Sequence, residues 1–427
     1  MKILFFSDNF PPETNAAATR VYERAVHWAK WGHQVTVITS APNFPQGKVY
    51  PGYRNEWYRI EYRDAIRIVR VKTFISANKG TALRMLDFLS FMATGLAAAM
   101  VQPRFDVVAA TSPQFFAAVA GWLTGLLRRR PFVFELGDIW PASIVGVGAM
   151  KASSALRLME RLELFLYRRS ACVVALTEAF RTNLVSRGIP ADKICVVRNG
   201  VDLSRYQPRE QDTELARAWG VERAFVFGYV GTHGMAHNLR NVLDAAERLR
   251  QRADIRILLV GDGAEREELV AEAKRRGLTN VVMMGPQPKD AMPKVWSLCD
   301  VALVHLKDTP VFAEVIPSKI FEAMGMGKPI LLSVPRGEAS AIVEEDGAGL
   351  WVEPDNPDTL AAAMARLADD DALRRQMAAA SLAAASRHSR TTQAEEMLQA
   401  LEIAAAGLGA EAGSRLTAPG RSARSAG

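Results

Sequence analysis

Cysteine is scarce in this chain. Cys172, Cys195 and Cys299 are the only three in 427 residues, too few and too dispersed for a disulfide framework. No Cys-x-x-Cys pair or histidine cluster has the spacing of metal ligands, so a reducing compartment is expected. Long uncharged apolar runs are missing too. Residues 3–6 are too short a run for a secretion signal and read as a first buried strand, which makes the expected location cytoplasmic. Residues 81–101 come close to the length of a membrane span, but Arg84 and Asp87 interrupt them, leaving a buried or interfacial helix. No Gly-x-Gly-x-x-Gly follows the first strand, with an acid about twenty residues on, so a nicotinamide-dependent oxidoreductase is not expected. No Asp-x-Asp suited to a catalytic divalent ion stands out; Asp369-Asp370-Asp371 falls between two predicted helices. Neither a metal nor a cofactor is expected.

Charge is present but lopsided. Of the formal +7, residues 1–205 hold 27 Lys+Arg against 15 Asp+Glu, and the remainder holds 26 against 31. A basic front half suits an anionic partner, either an anionic lipid leaflet or a phosphorylated substrate. The cations are scattered and form no nucleic-acid motif, so no nucleic-acid partner is expected. One cluster is local: the apolar run 115–127 ends in Arg128-Arg129-Arg130. That pattern fits a core helix whose arginines complement its C-terminal dipole, or equally a helix lying on a membrane.

Short apolar, β-branched runs alternate with helical patterns along the whole chain. They fall at 3–6, 35–39, 66–71, 107–110, 132–134 and 173–176, then at 225–230, 255–260, 281–284, 301–304 and 330–333. Runs of this length separated by helices predict parallel sheets covered on both faces. The length exceeds what one core sustains, so two doubly wound, Rossmann-like α/β domains are expected. The first spans 1–205 and closes on a strand entering a turn at 196–203, where Asn199-Gly200 favours positive φ. The second spans 206–390, with paired Ala-rich helices over 357–386. Residues 391–406 form a final helix able to cross back to the first domain, and the Gly/Ala/Ser/Arg-rich 407–427 are expected to be disordered.

In open parallel sheets, ligands bind beyond the carboxyl ends of the strands. Six segments there stand out. Glu314-Val-Ile-Pro-Ser318-Lys319-Ile-Phe-Glu322 places two carboxylates with seven residues between them around the start of a predicted helix. A helix N-terminus offers unpaired N–H groups and the positive end of a dipole to an anion such as a diphosphate. Two acceptor-only carboxylates beside that anion suit a sugar and a ribose. Gly231-Thr232-His233 through Asn238 and Arg240 is a Gly-rich turn from strand to helix, in which His233 and His237 read as polar lining. Gly261-Asp262-Gly263 is a tight strand exit, and Gly285-Pro286-Gln287 ends a further strand. In the first half, Ser7 to Asn15 leads into a helix at Ala16, and Asp138-Ile-Trp140-Pro follows a buried strand. Asp138 can orient a substrate, assist catalysis as an acid or base, or simply cap a turn.

In order and spacing these segments resemble the retaining glycosyltransferases of family four, which have the GT-B architecture of two facing domains. The Glu314 to Glu322 segment resembles their E-x7-E signature. Pro-Ser-Lys-Ile-Phe-Glu and Asp-Ile-Trp-Pro are similar to a bacterial branch that builds O-antigen, capsule or colanic-acid-type polysaccharides. The resemblance implies a UDP-sugar held by the second domain, with Glu314 at the sugar and Glu322 on the ribose. Ser318, Lys319, Gly231, Thr232, Asn238 and Arg240 would surround the phosphates, and Pro286 and Gln287 the base. It implies an acceptor on a polyprenyl diphosphate at the inner-membrane surface, met by Asp138, Trp140, Thr14, Asn15 and Ala16. Departures are visible: Asn15-Ala16-Ala17 replaces a glycine pair, Thr232 and Asn238 replace an Arg and a Lys, and Pro317 replaces a glycine. The implied reaction is metal-independent transfer of an N-acetylated or amino-deoxy hexose. An epimerase or hydrolase of nucleotide sugars, or a non-enzymatic lipid-binding protein, are the alternatives.

Overall fold

The computed structural model describes residues 1–13, 15–44, 46–75, 81–112, 114–137 and 154–407. Thr14, Asp138, Trp140 and the tail from 408 on therefore lie outside the described residues. The chain divides into two compact units, Met1–Arg198 with Gln393–Gly427, and Asn199–Thr392.

The first unit holds β1 (Lys2–Phe6), β2 (Gln34–Ser40), β3 (Tyr58–Arg63), β4 (Ile66–Val71), β5 (Val107–Thr111), β6 (Phe132–Leu136), β7 (Cys172–Ala175) and β8 (Ile194–Val196). They form one sheet in the order β3-β4-β2-β1-β5-β6-β7-β8. Every pairing is parallel except that of β3 with β4. Its helices are α1 (Ala16–Lys30), α2 (Thr81–Met100), α3 (Phe115–Arg128), α4 (Ser154–Arg169) and α5 (Glu178–Ser186). All five residues of β5 are buried, as are all five of β6, which is why they read as unbroken apolar runs. β3 was not legible in that way. Its Tyr-Arg-Ile-Glu-Tyr-Arg sequence lies on the sheet edge with most residues exposed, where charge discourages pairing with other chains.

The second unit holds β9 (Phe225–Val230), β10 (Ile255–Val260), β11 (Val281–Met284), β12 (Val301–His305), β13 (Ile330–Ser333) and β14 (Gly349–Val352). This sheet is wholly parallel, in the order β11-β10-β9-β12-β13-β14. The helices are α6 (Thr213–Ala218), α7 (Leu239–Arg248), α8 (Arg266–Arg275), α9 (Met292–Ser297), α10 (Lys319–Gly325), α11 (Glu338–Glu345), α12 (Pro357–Asp369) and α13 (Asp371–Ala385). The closing helix α14 (Arg390–Ala405) buries Ala394, Met397 and Leu401 in the first unit's core beside Trp28, whose indole N–H donates to the Ala394 carbonyl at 2.8 Å.

Two expectations change. The last strand of the first sheet is Ile194–Val196, ahead of the 196–203 segment expected to supply it. Neither Asn199 nor Gly200 has a positive φ. A Cβ at Gly200 would instead stand 2.7 Å from the carbonyl oxygens of both His388 and Ser389, so close backbone approach, rather than turn geometry, requires the glycine.

Each sheet reverses its winding direction once, at β1/β5 in the first unit and at β9/β12 in the second. Those switch points open a crevice at the carboxyl edge, where loops diverge to opposite faces. Beside the first, Arg20 and Arg24 of α1 converge on one oxygen of Glu135 in β6, at 2.9 and 2.6 Å. Burial by itself would raise the Glu135 carboxyl, but the two guanidiniums and Thr111 outweigh it and hold it below its ordinary value. The stabilisation this provides is present above the ordinary carboxylate pKa and is lost as pH falls through the depressed folded value. Glu135→Gln should therefore lower unfolding free energy at pH 7 by about 3 kcal/mol, since it leaves buried guanidiniums uncompensated. Urea titrations of both forms between pH 7 and 3 should show the gap closing on the acid side.

Candidate functional site

At the β9/β12 switch point of the second unit, Gly231, Thr232 and Lys319 of the motif residues come together. β9 ends at Val230 and hands over to Gly231, whose φ is +152°. A Cβ there would lie 2.3 Å from Cε of Lys319 and 2.8 Å from its Nζ. The lysine thus crosses directly over the glycine, which explains a residue without a side chain. Its ammonium donates to the Tyr229 hydroxyl at 3.1 Å and stands 4.3 Å from the centre of that ring. Tyr229 in turn donates to the Thr232 carbonyl at 2.7 Å, which fixes the loop to the strand it leaves. Loss of hydration pushes the Lys319 amine down to about 8, against the pull of Glu322.

The neighbouring turn is pressed just as closely. A Cβ on Gly261 would fall 1.8 Å from the Gly231 carbonyl, and one on Gly263 would fall 2.3 Å from that of His233. His305 at the end of β12 links both sides of the switch. Its Nδ1 faces the His237 carbonyl at 2.8 Å, and its Nε2 faces the Asn241 amide nitrogen, also at 2.8 Å. An amide N–H donating to Nε2 leaves Nδ1 as the protonated nitrogen. Burial lowers His233, His237 and His305 to about 4, so all three imidazoles are neutral at pH 7. Positive charge at this edge comes from Lys319 and from Arg266 at the start of α8. The latter lies near enough to His233 to depress its titration and has no carboxylate partner among the described residues.

Glu314 closes the short helical turn Pro310–Glu314. A Cβ on Gly337 would meet the Ala313 carbonyl at 2.1 Å, so this turn packs against the entry to α11. The Glu314 carboxylate has no hydrogen bond or ion pair among the described residues. Glu322 is the fourth residue of α10, half-buried, and accepts the Trp296 indole N–H at 3.1 Å. Burial raises its carboxyl, opposed by Trp296 and Lys319. Ser318 is exposed at the helix start, where its carbonyl accepts the amides of Phe321 and Glu322.

The other motif residues are placed differently. Asn238 is left-handed (φ 38°) and donates to Asp355 at 2.7 Å. Arg240 leans on α8, paired with Glu268 and Glu272. Pro286 and Gln287 follow the edge strand β11, with the Gln287 amide on the Gly285 carbonyl at 3.3 Å. In the first unit Asn15 caps α1 by accepting the Ala18 N–H at 2.9 Å, and Ala16 is that helix's first residue. Sequence reading passed over Tyr229, Trp296, His305 and Arg266, none of which stands in the motif segments as a charged or glycine signal except Arg266, which lies three residues beyond Gly263.

It also passed over the acids at the first switch point. Glu13 is buried and accepts three backbone amides, from Phe10, Asn43 and Phe44. Burial, with Asp87 and Glu13 adding to it, raises Asp8 to about 8, and Asp87 itself rises to about 6 through burial. Asp8 at the end of β1 is thus largely protonated at neutral pH.

Residues 15–200 match the model of the glycosyl transferase 4-like domain, and residues 211–382 match that of the glycosyl transferases group 1. The protein assigned as the colanic acid biosynthesis glycosyl transferase WcaI of Escherichia coli (strain K12) is 26% identical over 372 residues, covering 85% of this chain and 91% of its own length. A GDP-mannose-dependent alpha-mannosyltransferase of Mycolicibacterium smegmatis is 25% identical over 346 residues, 78% of this chain and 79% of its own. Among solved structures, Anabaena Alr3699/HepE in complex with UDP superposes with a TM-score of 0.69 at 22% identity, over 94% of this chain and all of that one. The fold is that of the GT-B glycosyltransferases, with two Rossmann-like α/β domains.

The crossing of Lys319 over Gly231 has a direct spectroscopic consequence. With lysines labelled by reductive methylation and followed by NMR, one resonance should titrate near pH 8 and vanish in Lys319→Arg. Gly231→Ala should move that midpoint back toward the ordinary lysine range, because the added methyl expels the amine from its pocket.

Proposed function

The chain belongs to the group 1 glycosyl transferases, and from that premise we propose that it transfers a sugar, with retention, from a UDP-sugar to a lipid-diphosphate-linked acceptor in bacterial surface polysaccharide synthesis. The sugar is an N-acetylated or amino-deoxy hexose, and the reaction runs at the cytoplasmic face of the inner membrane without a metal. The observation carrying this reading is the Gly231–Lys319 crossing at the β9/β12 switch point, with Glu322 close enough to act on the lysine's charge.

A diphosphate laid over Gly231 meets loop amides and the Lys319 ammonium, with Arg266 as a second cation nearby. Arg266 supplies the charge that Thr232 and Asn238 do not. Glu322, oriented by Trp296, accepts ribose hydroxyls, and Glu314, unpaired among the described residues, accepts those of the sugar. Pro286 and Gln287 border the base. The acceptor oxygen attacks the anomeric carbon while the bond to the diphosphate breaks, and the acceptor proton passes to a phosphate oxygen of the departing UDP. The two cations stabilise the charge developing there. In the first domain, Asp138 orients the acceptor or assists as an acid or base, Trp140 orients it, and Thr14, Asn15 and Ala16 lie near its phosphate.

The relative acting with GDP-mannose favours a second reading in which the base is guanine. Thermal unfolding with UDP, GDP, ADP and NAD separates the two. UDP at about a hundred times its dissociation constant should stabilise by roughly 2.7 kcal/mol, and Glu322→Ala should abolish that shift. A response to GDP alone replaces the donor, and a response to NAD alone removes the nucleotide-sugar reading.

Because Lys319 is protonated below about pH 8 and neutral above it, UDP affinity should fall as pH rises through that value, measured by calorimetric titration. Glu314→Gln should keep nucleotide affinity and lose about a hundredfold in kcat/KM through misplacement of the sugar. EDTA should leave turnover unchanged.

A further inference from the structure

The amino edge of the first sheet carries a pocket of 560 Å³ lined by Trp122, Leu126, Arg129, Arg130 and Arg169, with Pro131 and Ser170. Pro131 precedes β6 and Ser170 lies just before β7, so this pocket sits at the opposite end of the strands from the loops after β1 and β5. Its wall is ordered by aromatic packing: Trp122 meets Phe165 edge-on at 5.1 Å between ring centres, and the Arg169 guanidinium lies 5.6 Å over the same ring. Arg129 adopts the left-handed cap of α3 (φ 52°), and the Arg130 N–H closes the turn on the Gly125 carbonyl at 2.8 Å. None of Arg129, Arg130 and Arg169 pairs with a carboxylate among the described residues. Arg128 is different, being bound to the carbonyls of Ala99, Met100 and Gln102.

Apolar surface adjoins these cations. Leu126 and Leu127 are each 60% exposed, and Val101 is 69% exposed beside them at the end of α2. From there an apolar stripe runs up α2 through Ala97, Ala93, Leu89, Leu86 and Leu83, all exposed. Steps of three and four residues keep it on one helix face, about 27 Å long at the rise of an α-helix. The opposite face cannot leave the protein: Phe91 and Ala99 are fully buried, and a Cβ on Gly95 would touch Phe6 and Ile38. A helix apolar enough to span a bilayer over Leu83–Met100 is thereby held parallel to the sheet.

We propose that the α2/α3 layer lies flat on an anionic bilayer, its leucines in the acyl boundary and a phospholipid phosphate in the Arg129/Arg130/Arg169 pocket. A soluble phosphate would account for the guanidiniums but not for the leucines at the rim and along α2. A bilayer surface offers the apolar phase and the anion together. The proposal draws its purpose from the lipid-linked acceptor of the preceding section, while its test does not depend on that acceptor.

The test is co-sedimentation of the full chain with phosphatidylcholine vesicles, with or without phosphatidylglycerol. Binding is expected only with the anionic lipid. Arg129→Asn/Arg130→Gln/Arg169→Gln should cut the partition coefficient roughly a hundredfold, at about fivefold per arginine, and Leu126→Ser/Leu127→Ser should also reduce it. Both variants should keep the unfolding temperature and the UDP shift of the wild type, since they touch neither core nor donor site. Equal binding to both vesicles, or a triple variant that partitions like wild type, overturns the proposal. So does arginine-dependent stabilisation by inorganic phosphate in a chain that ignores vesicles, which would make the pocket a free-phosphate site. A chain that binds vesicles but not UDP keeps this surface and removes the donor assignment.

Discussion

Lys319 lies across the backbone at Gly231, with no room for a Cβ beneath it, and the organisation of the second domain follows from that crossing. It needs β9 and α10 to meet at the same edge, which happens because the sheet reverses direction between β9 and β12. It needs the glycine at positive φ, and it needs Tyr229 below to accept the ammonium. The amine is partly stripped of water there, which lowers its pKa to about 8 and leaves it mostly protonated at pH 7. A lysine in free solution would present the same charge, but without the position.

The two domains repeat one winding pattern with different electrostatics. At the second switch point the polar residues are neutral imidazoles beside two cations. At the first, carboxyl groups dominate: Glu13 locked by three amides, Asp8 raised to about 8, and Glu135 clamped by Arg20 and Arg24. Family membership makes the protein a glycosyltransferase, and the contrast between the edges fits a division of labour. An edge with cations suits a diphosphate, and an edge carrying a protonated acid suits a hydroxylated acceptor.

Much of the fold was legible in the sequence because parallel strands buried on both faces must be apolar throughout. Residues 225–230, 255–260, 281–284 and 330–333 are strands to the residue. What escaped notice was at the edges, where β3 is charged and β14 is four residues long, and at Gly200, whose role depends on chain 188 residues further on. Strand order could not be read at all, since an apolar run does not reveal its hydrogen-bonded neighbour. The site shows the same limit. Glu314, Lys319 and Glu322 stand out by spacing, but the choice between Arg240 and Arg266 turns on which arginine α8's acids neutralise, and only the folded arrangement shows that.

A crystal structure with bound UDP would show whether Lys319 and Gly231 hold the diphosphate. The diphosphate should lie within hydrogen-bonding distance of Lys319 Nζ and the Gly231 loop amides, with the ribose on Glu322. Nucleotide density at the first sheet's edge, or on the second domain with Lys319 still seated on Tyr229 and remote from any phosphate, would contradict it.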